Sequence, residues 1–146
     1  MDVVEHQRGR YTISTDPARL DIDSVHDYLC NTAYWCLGRP RVVVERSIEH
    51  SLCFGVYAGD EQAGFARVVT DYATFGWLCD VFVFEAYRGR GLGKWLVECV
   101  VAHPALCDLG LFILATTSAH DLDRRYGGFK GLERPEKWML RSAKQL

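Results

Sequence analysis

Short apolar runs separated by polar breaks extend along the whole chain, and the spacing within each run names an element. Tyr11–Ser14 alternates like a short strand, and Asp21 or Asp23 is placed to cap a helix carrying Val25, Tyr28 and Leu29 on one face. The stretch Tyr34-Trp35-Cys36-Leu37-Gly38-Arg39-Pro40 ends that helix and starts a second over about 40–50. After these two helices, residues 51–58 and 62–70 read as strands joined by Gly59-Asp60-Glu61, and 75–84 continues the meander. Within it Val81-Phe82-Val83-Phe84 is apolar at every position, which predicts a strand covered on both faces. Leu92, Trp95, Leu96, Cys99, Val100 and His103 recur three and four residues apart as one helical face, stopped by Pro104. Residues 111–115 form another apolar run, so strand, helix and strand make a right-handed crossover with the strands parallel. A short helix over 119–126, the pair Gly127-Gly128 and a closing strand over 137–141 complete the series.

No linker, repeat or low-complexity run divides the 146 residues, so 1–146 is expected to be a single domain. The start, MDVVEHQRGR, lacks the basic-then-apolar order of a secretory signal, and no apolar run reaches membrane-spanning length. A soluble cytoplasmic protein with no membrane partner is expected. Lys plus Arg number 17 against 19 Asp plus Glu, a net charge of −2 that argues against a nucleic-acid partner. The six cysteines show no C-x-x-C pair and have mostly apolar neighbours; they read as small reduced core residues, and no metal site is expected.

The chemistry concentrates in Tyr87-Arg88-Gly89-Arg90-Gly91-Leu92-Gly93-Lys94, between a buried strand and an amphipathic helix. Glycines let backbone N–H groups approach a ligand, and a helix start offers unpaired donors and the positive dipole end. Arg88, Arg90 and Lys94 add cations with no acid among them, so a pyrophosphate suits the segment. A P-loop would need Gly where Arg88 stands and Ser or Thr where Trp95 follows the lysine. A dinucleotide fingerprint would need Gly at Lys94. Both patterns fail.

At these residues the chain resembles the GNAT superfamily of N-acetyltransferases, whose signature R/Q-x-x-G-x-G/A is matched by Arg88, Gly91 and Gly93 after the lead-in Tyr87-Arg88-Gly89. The order of elements over about residues 10–141 is similar as well. The resemblance implies an α/β (α+β) fold: a mixed, mostly antiparallel central sheet with one parallel strand pair, flanked by helices. It also implies acetyl-CoA as co-substrate, with the amides of Arg88, Gly89, Arg90, Gly91, Leu92, Gly93 and Lys94 on the pyrophosphate. Val81, Phe82 and Val83 would then pair with the pantetheine arm in the gap between the splayed parallel strands, and Thr116 would be the polar contact beyond the second of them. Thr116 reads equally as a helix cap.

Acetyl transfer to an amine implies a base, and Asp80, just before the pantetheine-pairing stretch, is the carboxylate best placed for it, with Glu85 and Glu45 behind. The family often places a leaving-group acid in the pattern L-Y-x-x-x-G-F. Here Asp123 follows Leu122 and Tyr126 precedes Gly127, so Tyr126 is the candidate acid and Asp123 a poor substitute. Tyr34, Trp35, Tyr72 and Phe75, with Trp77, are candidates for an aromatic acceptor cleft, and the acids Asp71, Asp80 and Glu85 flank that side. The expected activity is N-acetylation of a small-molecule amine. The alternatives are an acyl-CoA-binding regulatory module with little turnover, or a peptide or protein amine acetyltransferase; a homodimer is left open.

Overall fold

The computed structural model describes residues 1–117 and 119–142, and the side chains of His120, Asp121 and Asp123 lie outside that description. Its elements are β1 (Glu5–Arg8), β2 (Tyr11–Ser14), α1 (Ile22–Asn31), α2 (Arg41–Glu49), β3 (Leu52–Ala58), β4 (Glu61–Thr70), β5 (Phe75–Val83), α3 (Leu92–Ala102), β6 (Leu111–Leu114) and α4 (His120–Gly127). They form a 6-stranded sheet in sequential order, antiparallel from β1 to β5 and parallel between β5 and β6. This is the mixed sheet the sequence predicts. No helix among the described residues is long and apolar enough to cross a membrane.

The sheet separates two apolar layers. On one face α3 packs Leu92, Trp95, Leu96, Cys99 and Val100 against Ile13, Phe54, Ala66 and Leu78. On the other, Val25, Leu29 and Val44 from α1 and α2 meet Cys53, Phe65 and Phe82. Asp21 caps α1 through Ser24 N at 3.1 Å, as one of the two expected caps. β5 serves both layers: Val81 and Val83 face α3, while Phe82, with Phe84 just past the strand, faces α1 and α2.

Three expectations need correction. β1, a sequence of four exposed polar residues, carries no hydrophobic signal and forms by hairpin pairing with β2 across the Gly9 turn. The closing strand over 137–141 is absent; a 3-10 turn at Pro135–Lys137 leads into an exposed tail, with Met139 96% exposed, so apolar composition there is not matched by pairing to β6. The cysteines are free, but only Cys53 and Cys99 are buried, and Cys107 is exposed.

Candidate functional site

β5 and β6 pair only from Phe75↔Leu111 to Leu78↔Leu114; β6 then ends while β5 runs on to Val83. From Cys79 onward, no described strand covers the side of β5 that faces away from β4. A cavity of about 380 Å³ occupies the gap, with Leu78 to Val81 on one wall and Leu114, Ala115 and Thr116 on the other. Gly93 and Val97 of α3 and Ala119 and Leu122 at α4 close its sides, so it reaches the start of α3. The Tyr34 hydroxyl meets Thr117 Oγ1 at 2.5 Å, tying the α1–α2 connection to the segment after β6. Thr116 lines the cavity and accepts a hydrogen bond from Ala119 N at 3.1 Å, so the cap and the cavity contact coincide.

The glycine segment is shaped by conformation, not crowding. Gly89 and Gly91 have φ of 78° and 77°, and a Cβ at either would meet nothing within 4 Å. Gly91 is the N-cap of α3 and has no side-chain cap to offer; Trp95 N makes the first intrahelical bond, to Gly91 O. The N–H groups of Leu92, Gly93 and Lys94 thus have no helical carbonyl to donate to. Arg88 props the loop: its Nε donates to Val83 O at 3.0 Å and its Nη2 to the Tyr28 hydroxyl at 3.0 Å, while Tyr28 stacks on Phe82. Arg90 donates to the Tyr11 hydroxyl at 2.8 Å, and Lys94 Nζ sits 5.4 Å above the Tyr126 ring.

At the other end of the cavity lies a charged cluster. Between Phe65↔Phe82 and Arg67↔Cys79, one residue of β4 faces two of β5, a bulge that gives Asp80 its φ of 51°. Asp80 Oδ2 accepts from Arg39 Nη1 at 2.8 Å and Arg67 Nε at 2.9 Å, and Oδ1 accepts from Trp35 Nε1 at 3.0 Å. Arg67 also donates to Ser51 Oγ. Burial pushes the Asp80 carboxyl up, but Arg67, the Trp35 N–H and Arg39 outweigh it and hold it below the usual carboxylate value. Cys79, also on the wall, is pushed up to about 12 by burial and stays a thiol at neutral pH.

The expected site residues divide accordingly. Asp80, Val81, Gly93, Thr116, Tyr34 and Trp35 line the cavity. Tyr126 does not: it stands one turn beyond Leu122, beside Lys94. The Asp123 side chain lies outside the described residues. Tyr72, in the turn after β4, lines a separate cavity of about 220 Å³ with Ile48 and Cys53, and Phe75 lines neither. Asp71 staples its own turn through Ala73, Thr74 and Phe75, while Glu85 and Glu45 are exposed, so the cavity is not the acid-flanked cleft expected. Arg39, Arg67 and Cys79 were absent from the expected set. An arginine inside the apolar strand run of β4 was the available signal, because unpaired charges are rarely buried.

Comparison with known proteins identifies a family and a shared fold. A model described as the acetyltransferase (GNAT) family matches residues 22–125. A candidate acetyltransferase of Gibberella zeae is 32% identical over 110 residues, 62% of this chain; the match spans 62% of that relative's length. A candidate GNAT acetyltransferase from Xanthomonas campestris pv. campestris superposes with a TM-score of 0.89 at 44% identity, over 94% of this chain and 96% of that one. A candidate acetyltransferase from Clostridium acetobutylicum, solved with acetyl-CoA, shares the fold at a TM-score of 0.59 and 10% identity, over 90% of this chain and 94% of that one.

Proposed function

The chain belongs to the GNAT acetyltransferase family, and from that premise we propose that it moves an acetyl group from acetyl-CoA to the amine of a small molecule by direct transfer. The observation that carries this is the uncovered edge of β5 beyond Leu78, facing a cavity that runs to the glycine turn of α3. A strand edge suits an extended amide-bearing arm, and the N–H groups of Leu92, Gly93 and Lys94 suit a pyrophosphate. A neighbour of the same fold was solved with acetyl-CoA, which supports the choice of co-substrate. A cavity of about 380 Å³, narrowed by the Tyr34–Thr117 bond, favours a small acceptor over a peptide chain.

In this reaction an N–C bond forms, the C–S bond breaks, the amine proton passes to water and sulfur leaves as thiolate. Asp80 acts as a positioning residue, because a carboxylate with three donors and a lowered pKa has little affinity for a further proton. A thiol of pKa about 8.5 can depart without a dedicated acid. Backbone N–H groups over 81–83 are the oxyanion donors. A covalent route through Cys79 would need a thiolate, which burial suppresses.

Calorimetric titration with acetyl-CoA, followed by thiol release against an amine panel, tests the assignment. Binding with amine-dependent release is expected. Binding without release from any amine would favour the acyl-CoA-binding module, and absence of binding would overturn the assignment.

A further inference from the structure

Among the described residues lining the cavity, the charged side chains are Arg39, Arg67 and Asp80, two cations against one anion. Arg67 and Asp80 are nearly enclosed, with side chains 10% and 2% exposed. Uncompensated charge in such surroundings is costly unless a partner arrives. Arg39 is the accessible member, 21% exposed, and only its Nη1 is engaged, leaving Nε and Nη2 without acceptors among the described residues. Trp35 and Tyr34 stand beside it in the same connection between α1 and α2 and give an apolar wall.

Resting on the acetyl-transfer assignment above, we propose that the acceptor is an amine carrying a carboxylate, an amino-acid-like molecule whose carboxylate is held by the free edge of Arg39. The guanidinium fork matches a carboxylate in plane through paired N–H donors. Charge count selects the same group. A neutral amine with one carboxylate brings −1 and balances the cluster, an aminoalkyl phosphate dianion overshoots it, and a simple amine leaves it unbalanced. Arg67 holds Asp80, and Asp80 fixes Arg39, so the cluster is a built receptor and not a mobile surface arginine.

Steady-state thiol release should be compared for amino acids, their carboxamides and an aminoalkyl phosphate, in wild type and Arg39→Ala. Wild type is expected to prefer the amino acid over its amide by about 10- to 100-fold in kcat/KM, as for a charge-assisted hydrogen-bonded pair. In Arg39→Ala that ratio should fall to about 1 while the KM for acetyl-CoA holds, and Arg39→Lys should restore part of it. Titration of N-acetylated amino acids and their amides into CoA-loaded protein reads the same preference without turnover. Equal handling of acid and amide by wild type, an unchanged ratio in Arg39→Ala, or a preference for the phosphate overturns the carboxylate proposal and leaves acetyl transfer standing. Failure to bind acetyl-CoA at all removes both.

Discussion

At the α3 end of the β5–β6 gap the groups on offer to a ligand are backbone: the N–H groups of three consecutive residues that no helical carbonyl takes up, after a left-handed Gly91 with no side-chain cap. At the Asp80 end they are side chains, gathered from the α1–α2 connection, β4 and β5. The first surface depends on one stretch of chain adopting one conformation. The second depends on the whole sheet, because Arg67 and Asp80 meet only when β4 and β5 pair and bulge as they do. Damage at the first end should therefore fall on ligand affinity, and damage at the second on stability.

The sharpest way to break that contrast is Asp80→Asn. It leaves Arg67 and Arg39 facing a neutral amide in an enclosed place, and losing one member of a buried ion pair costs about 3 kcal/mol. Urea unfolding should register that loss. A change within a few tenths of a kcal/mol would mean that the cluster is solvated and that the two ends do not differ. Gly91→Ala is the matching probe of the α3 end. Forcing a Cβ into the left-handed region costs about 1–2 kcal/mol, either as lost stability or, if the turn relaxes, as misplaced N–H donors. Acetyl-CoA affinity should drop about tenfold by calorimetry. If Gly91→Ala keeps both wild-type affinity and wild-type stability, the left-handed turn is not what presents those N–H groups to the ligand.

The same contrast explains what sequence reveals. The glycine turn was legible because its residues are consecutive, Arg88 to Lys94, with a spacing that fits neither a P-loop nor a dinucleotide fingerprint. The meander, α3 and β6 were legible because apolar periodicity alone specifies them. Arg39 and Arg67 were not, since they are 28 positions apart in the numbering and their pairing through Asp80 exists only in three dimensions. Asp80 was found for its position but given the wrong neighbourhood: the acids expected around it, Asp71 and Glu85, turn elsewhere, and cations surround it. β1 lacked any apolar signal, and 137–141 carried one without forming a strand.

Acid titration sharpens the stability side of the contrast. The Asp80 carboxyl is lower in the folded chain than its ordinary value of about 3.9, so the unfolded chain binds the proton more readily. Its contribution is thus complete above about pH 4–5 and is lost as pH falls through the folded value. Unfolding free energy followed from pH 6 downward should decline on that limb. Asp80→Asn should flatten part of the decline, and an identical slope in both proteins would remove Asp80 from the acid response.

The smallest effect is expected from Tyr126→Phe. Tyr126 lies beside the α3 end, its ring under Lys94 Nζ at 5.4 Å, and outside the cavity where the C–S bond would break. The phenylalanine ring keeps the cation–π contact, worth about 0.5–1 kcal/mol at an exposed site, and loses only the hydroxyl. Acetyl-CoA affinity should therefore hold, and kcat should change by less than about threefold, since a thiolate leaving group of conjugate-acid pKa about 8.5 needs little help at neutral pH. A tenfold fall in kcat with affinity unchanged would instead make the Tyr126 hydroxyl the leaving-group acid. It would also mean that α4 closes on the gap during turnover, joining the two ends that the folded chain keeps apart.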